Sequence, residues 1–190
     1  MKRIDKKMRI ETERLIIRPY KHEDLNECFR LMQDDELFDY LDMEVMTFEE
    51  YQGLFSWLID SYKKDFNDDF KYSFNITLKE TGAHVGWCGI GVLDYDNQYK
   101  EIYYLIGKEY WGNGYAKEAS TALLEFGFNV IGLSEIVALC KQENKASKNV
   151  IENMGLNFKY IVEGLPQEHD YYNGELYFSL TKREYLSNSK

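Results

Sequence analysis

The residues with the clearest chemical potential lie around Gly112-Asn113-Gly114, where an alternating run from Glu101 to Ile106 passes through Gly107 into an apolar helical pattern. A strand leading through glycines into a helix makes an anion site. The first N–H groups of the helix have no intrahelical partner, and glycine lets a phosphate approach the backbone closely. The plainer alternative is a flexible turn before an ordinary helix. Two nucleotide motifs fail here. A dinucleotide fingerprint starting at Gly112 meets Lys117 where glycine or alanine is needed, and the acidic residue is missing from the end of the next strand. A phosphate loop read from Gly107 has Asn113-Gly114 where Lys-Ser/Thr is required. Cys88 and His84 are four apart on a strand, too distant for a direct hydrogen bond, which makes Cys88 a packing residue. His22, His84 and His169 lack metal-ligand spacing, so no metal is expected. Asp34, Asp35, Glu36 and Asp39 either attract a cation or form a solvated face.

These groups need elements to place them. Arg14 to Tyr20 alternates as a first strand and ends near Pro19. Leu25, Cys28, Phe29 and Met32 mark an amphipathic helix, and Thr47 with Glu50 forms a capping box for a second. The stripe of that second helix runs Phe48, Tyr51, Phe55, Leu58, Ile59, Tyr62 and Phe66, mostly core. Strands are expected at Tyr72 to Leu78 and Ala83 to Asp94, joined by a turn at Lys79-Glu80-Thr81-Gly82, and then at Glu101 to Ile106. A helix follows with Ala116, Ala119, Leu123, Leu124 and Gly127 on one face. Next come a strand at Glu135 to Cys140, a helix at Ala146 to Met154 stopped by Gly155, and strands at Phe158 to Val162 and Leu176 to Thr181. The hairpin of neighbouring strands excludes a purely parallel sheet and predicts a mixed α/β fold.

The chain has 190 residues, two prolines and no linker-like segment, which predicts one domain over 1–190 with a core of about residues 10–186. Its composition, 44% hydrophobic and 29% charged, is that of a soluble globular protein. A net charge of −10 disfavours nucleic acid and anionic membranes and leans towards cationic partners. The 16% of aromatic residues come without the basic groove a base-stacking surface needs. Lys2, Arg3, Lys6, Lys7 and Arg9 precede no apolar stretch, unlike a secretory signal. Three separated cysteines, Cys28, Cys88 and Cys140, read as reduced thiols. The expected setting is therefore the cytoplasm.

Trp111-Gly112-Asn113-Gly114-Tyr115-Ala116 resembles the pyrophosphate motif of the GNAT superfamily of acetyl-CoA-dependent N-acetyltransferases, Gln/Arg-x-x-Gly-x-Gly/Ala, from its fourth position onward. Trp in place of Gln or Arg resembles the branch that acetylates the N-termini of ribosomal proteins, whose Tyr-Trp-Gly-x-Gly-Tyr-Ala pattern fits Tyr110 to Ala119. Glu11-Thr-Glu-Arg-Leu-Ile-Ile-Arg18, Asn144-Lys145-Ala146-Ser147, Met154-Gly155-Leu156, Glu163-Gly164 and Tyr177 to Tyr185 are similar to further parts of that branch. Asn173-Gly174-Glu175 departs from it, since the branch often has Asp after this turn.

The resemblance implies a mostly antiparallel central sheet flanked by helices, with a splayed pair of strands holding acetyl-CoA. It implies that the backbone of Tyr104, Leu105 and Ile106 receives the thioester and that Trp111, Gly112, Asn113, Gly114, Tyr115 and Ala116 form the cofactor loop. Asn144 would meet the pantetheine amides, and Lys108, Lys117 or Lys148 would offset the negative net charge. Glu101 is the implied base, with a solvated strand-end carboxylate as its plain alternative. Ser147 is the implied proton donor, with helix capping as its alternative. The acceptor would be an amine, either a small molecule or a protein N-terminus. The chain would act as monomer or homodimer, without metal. The competing class is a non-catalytic acyl-CoA sensor.

Overall fold

The computed structural model describes residues 8–41 and 43–188. Lys2, Arg3, Lys6 and Lys7 lie outside the described residues. In chain order the strands and helices are β1 (Ile10–Glu11), β2 (Leu15–Pro19), α1 (Leu25–Leu31), α2 (Phe48–Ser61), β3 (Lys71–Leu78), β4 (His84–Leu93) and β5 (Asp96–Ile106). They continue with α3 (Tyr115–Phe126), β6 (Glu135–Cys140), α4 (Lys145–Asn153), β7 (Asn157–Ile161), β8 (Leu176–Thr181) and α5 (Lys182–Asn188). The expected order is present, with the two-residue β1 added in front and α5 behind.

All the strands join one 8-stranded sheet in the order β1-β2-β3-β4-β5-β6-β8-β7. Every pairing among the described residues is antiparallel except β5 with β6. That parallel pair touches at a single register position, Glu101 opposite Val137. Beyond it the two strands part, whereas β4 stays paired with β5 as far as Ile106. The sheet is thus mixed, mostly antiparallel and split at its centre.

Strand alternation decides what each face carries. Phe74, Cys88 and Tyr104 lie in one cross-strand row. Phe74 is fully buried and meets Tyr62, just past α2, and Phe126 of α3, so this face takes the main core. Lys71, Gly91 and Glu101 form a row on the opposite face, and Ser73, Gly89 and Tyr103 another. Glycine at 89 and 91 leaves β4 bare there: a Cβ on Gly89 would stand 2.2 Å from the Tyr103 ring.

The predicted capping box holds α2, with Glu50 N–H donating to Thr47 Oγ1 at 3.3 Å and Thr47 N–H to Glu50 Oε2 at 2.8 Å. Such a cap contributes about 1 kcal/mol. The helix stops at Ser61, so Phe66 is not on its stripe. Phe66 still packs edge-on to Phe126, with ring centroids 6.1 Å apart, from the connection to β3. Tyr51, Phe55 and Tyr62 are buried as expected, while Phe48 is exposed. No helix among the described residues is long and apolar enough to cross a membrane.

Candidate active site

Gly112 and Gly114 both adopt left-handed backbone, with φ of +78° and +79°. L-residues reach that region at a cost of about 1–2 kcal/mol, which explains glycine at both positions. Gly114 is the N-cap of α3 and offers no side chain, and the first helical bond runs from Glu118 N–H to the Gly114 carbonyl. The N–H groups from Gly112 to Lys117 therefore have no acceptor among the described residues. Asn113 closes the loop, its Nδ2 donating to the carbonyls of Tyr110 at 3.0 Å and Trp111 at 3.2 Å. A solvent-facing set of free donors at a helix N-terminus fits a diphosphate.

Trp111 is half exposed, and its indole Nε1–H donates to the Ile106 carbonyl at 2.6 Å. The indole thus ties the loop to the end of β5. Tyr115 and Ala116 start α3, partly buried against the core. The lysines expected to balance charge differ in their partners. Lys108 pairs with Asp34 at 3.4 Å and with Glu36, which raises its pKa through the Glu36 hydrogen bond. Part of the acidic run is thereby neutralised by Lys108 rather than left for a cationic ligand. Lys117 Nζ reaches Asn153 at 3.4 Å, and Lys148 lies 3.8 Å from Glu152.

The three β5 residues expected to face the gap do not do so equally. Gly107 N–H donates to the Val85 carbonyl, so backbone groups directed at β4 recur at Leu105 and Tyr103. Tyr104 and Ile106 turn theirs towards the parted β6 instead. Leu105 is thus committed to the sheet, opposite Trp87. Across the gap, Asn144 caps α4: its Oδ1 accepts from Ser147 N–H at 2.9 Å, leaving its amide NH2 free. Ser147 is not the cap. Its Oγ instead lies 2.9 Å from the Tyr104 hydroxyl, joining α4 to β5. Burial pushes the Tyr104 phenol up to about 12, so it remains protonated at neutral pH. That contact was missed by sequence reading, because it joins residues 43 apart.

Glu101 sits three residues before Tyr104 and therefore on the other face of β5. It is not at the strand's start, since β5 begins at Asp96. It is not a solvated end group either: its relative exposure is 9%, and among the described residues no hydrogen bond or ion pair engages it. Burial pushes its carboxyl up to about 8; Lys71 opposes the rise, while Glu175 and Asp94 add to it. Bare Gly91 explains the reach of Lys71, because no side chain separates Lys71 from Glu101 in their row. Lys71 in turn holds Asp94 at 2.6 Å, and the Tyr172 hydroxyl donates to Asp94 Oδ2 at 2.9 Å. Glu175, the residue that departs from the expected turn, is buried and 3.4 Å from Lys141. The Tyr171 hydroxyl donates to the Tyr40 carbonyl at 2.6 Å, tying the segment 167–172 to the stretch between α1 and α2.

Nucleophilic alternatives are poor. Cys88 is fully buried and its thiol is pushed up by burial, as a packing residue should be. Burial also lifts Cys28 and Cys140 to about 12. His84 Nδ1 lies 2.9 Å from Asn75 Oδ1, away from Cys88. Among the described residues no group of three or more His, Cys, Asp or Glu side chains could hold a metal ion.

Comparison with known proteins agrees with this geometry. Residues 14–157 match the acetyltransferase (GNAT) domain. The chain is 30% identical to p20, an uncharacterised N-acetyltransferase of Bacillus licheniformis, over 92% of this chain and 96% of the relative. It is 24% identical to the spermidine N(1)-acetyltransferase of Escherichia coli K12, over 92% of this chain and 89% of the relative. The crystal structure of a GNAT acetyltransferase from Bacillus anthracis superimposes with a TM-score of 0.75 at 25% identity, covering 93% of this chain and all of the other. A matching family model and a shared fold lead to one conclusion: the chain belongs to the GNAT family of N-acetyltransferases.

Proposed function

We propose that the chain moves an acetyl group from acetyl-CoA to a primary amine by direct attack on the thioester. The observation that carries this reading is the two-faced β5 at the split. An unpaired buried carboxylate, Glu101, lies on one face and the Tyr104–Ser147 pair on the other. Amine and donor can then approach the gap from opposite sides.

Acetyl-CoA supplies an activated carbonyl when bound. The N–H groups of Gly112 to Lys117 meet its diphosphate, with Trp111 and Asn113 holding the loop. The freed Tyr104 backbone and the Ile106 N–H pair with the pantetheine arm, and an N–H from this stretch faces the developing oxyanion. The Asn144 amide NH2 is available to a pantetheine carbonyl. Glu101 accepts the proton that the amine loses as its nitrogen bonds to the acetyl carbon. Its pKa of about 8 lies close to that of an α-ammonium, about 7.7–8.0, so a carboxylate at this position is also nearly matched to the earlier deprotonation that gives the neutral, attacking amine. As the C–S bond breaks, Ser147 donates a hydrogen bond to the departing sulfur and receives one from Tyr104. The serine hydroxyl is a weak acid, and the phenol behind it strengthens it as a donor.

Direct transfer is supported by the buried, high-pKa cysteines, which offer no acetyl acceptor on the enzyme. A cationic acceptor is supported by the spermidine activity named for the E. coli relative. The test is mass-spectrometric detection of acetylated product from a panel of polyamines, aminoglycosides and peptides beginning Ala, Ser or Met. Product from one class supports the reading and names the acceptor. Acetyl-CoA binding without product from any class contradicts it.

A further inference from the structure

A loop with two left-handed glycines has many conformations to lose, and the peptide before Gly114 can flip at little cost. A flip would direct the Asn113 carbonyl at a bound anion. The structure holds that peptide from behind. Arg14 Nη1 donates to the Asn113 carbonyl at 2.9 Å, and the guanidinium lies 4.6 Å from the Tyr115 ring centroid. In a planar trans peptide C=O and N–H point in opposite directions. Fixing the Asn113 carbonyl towards Arg14 therefore turns the Gly114 N–H away from it, to the open side of the loop.

Arg14 is itself held by Glu118 in the first turns of α3. Its Nε donates to Glu118 Oε2 at 2.7 Å, Nη2 lies 2.6 Å from the same oxygen, and its backbone N–H donates to Oε1 at 2.9 Å. Thr12 Oγ1 adds a 2.5 Å hydrogen bond to Oε1. The Arg14 charge is thus paired, and the guanidinium acts through geometry rather than by attracting phosphate. These contacts join the opening Glu11-Thr12-Glu13-Arg14 stretch to a helix more than 100 residues later.

We propose that Arg14 and Glu118, steadied by Thr12, are positioning residues for the acyl donor: a brace that locks the Asn113–Gly114 peptide with its N–H facing the diphosphate. The proposal rests on the reading of this loop as the diphosphate site.

The test uses the full chain with Arg14→Lys, Glu118→Gln and the double variant, each checked for a native circular dichroism spectrum and melting transition. Calorimetric titration with CoA should show Kd raised about tenfold in each single variant, as for loss of a charge-assisted hydrogen bond. The double variant should be little worse than either single one, because both remove the same device. The KM for acetyl-CoA should rise in parallel while kcat at saturating donor holds, a split that general loosening of the fold would not give. Folded variants with unchanged Kd, or with kcat lowered and KM unchanged, overturn the brace. Wild-type protein that binds no CoA overturns the diphosphate reading and the brace with it; wild-type binding matched by the variants overturns the brace alone.

Discussion

The glycine loop and the face around Glu101 are built from different materials. The loop is made of backbone: consecutive N–H groups, two left-handed glycines and a helix end, all near solvent. The Glu101 face is made of side chains, Lys71, Asp94, Glu101, Tyr172 and Glu175, brought together from separate parts of the chain, with Glu101 and Glu175 buried. Backbone donors cannot be titrated or truncated, so the loop should be sensitive to shape and indifferent to pH. The carboxylate face should be the reverse.

The largest effect should come from spoiling the loop's shape. Gly114→Glu imposes a side chain on a φ of +79° and a negative charge where an anion is to bind. The strain is about 1–2 kcal/mol, small beside the stability of a domain this size. Calorimetry should detect no CoA binding by a protein that still melts cooperatively. Binding at wild-type affinity would remove the loop from the donor site.

Glu101→Gln should come next, lowering kcat by about 10²–10⁴ as for loss of a general base. Stability should move the other way. The folded-state pKa of about 8 lies above the ordinary carboxylate value of 4.5, so this residue's favourable contribution is complete below that value and is lost as pH rises through about 8. Above that pH the Gln variant should melt at a higher temperature than wild type. A lower melting temperature there would show that the Glu101 carboxylate is stabilised in its charged form.

Ser147→Ala should cost about tenfold in kcat, on the scale of one hydrogen bond to a charged group, and leave the KM for the amine unchanged. Tyr104→Phe should cost less, and nothing further when added to Ser147→Ala, because Tyr104 acts through Ser147. An additive double variant would separate the two residues. The smallest change belongs to Lys71→Met. Lys71 holds the Glu101 pKa down, so its loss should move the midpoint of the pH–rate profile upward, with little change in the maximal rate.

The same contrast explains what could be read from sequence. The loop, the α2 capping box and Asn144 with Ser147 are each set by residues within a few positions of one another, and their local patterns suffice to place them. Glu101 could be named as a candidate, but not as a buried group. Asp96 to Lys100 reads as a polar connection, yet it extends β5 through a bulged hairpin in which Leu93 opposes Asp96. The cover comes from Tyr172 and Asp94, whose meeting depends on tertiary structure. Lys108 adjoins the loop in sequence and is expected, with Lys117 or Lys148, to offset the negative net charge there; its charge is drawn to Asp34 and Glu36, more than 70 residues earlier. The parted strands were implied by family resemblance alone. No residue pattern in β5 or β6 announces that their ladder stops after Glu101 and Val137.

In the proposed mechanism Glu101 removes a proton from an amine that attacks acetyl-CoA directly. Amine-dependent release of CoA thiol, measured as kcat/KM against pH for wild type and Glu101→Gln, tests this step. With an acceptor whose own pKa lies well away from 8, the wild-type rate should climb through an inflection near 8, and the variant should be far slower without that inflection. Equal rates and superimposable profiles for the two proteins would contradict it.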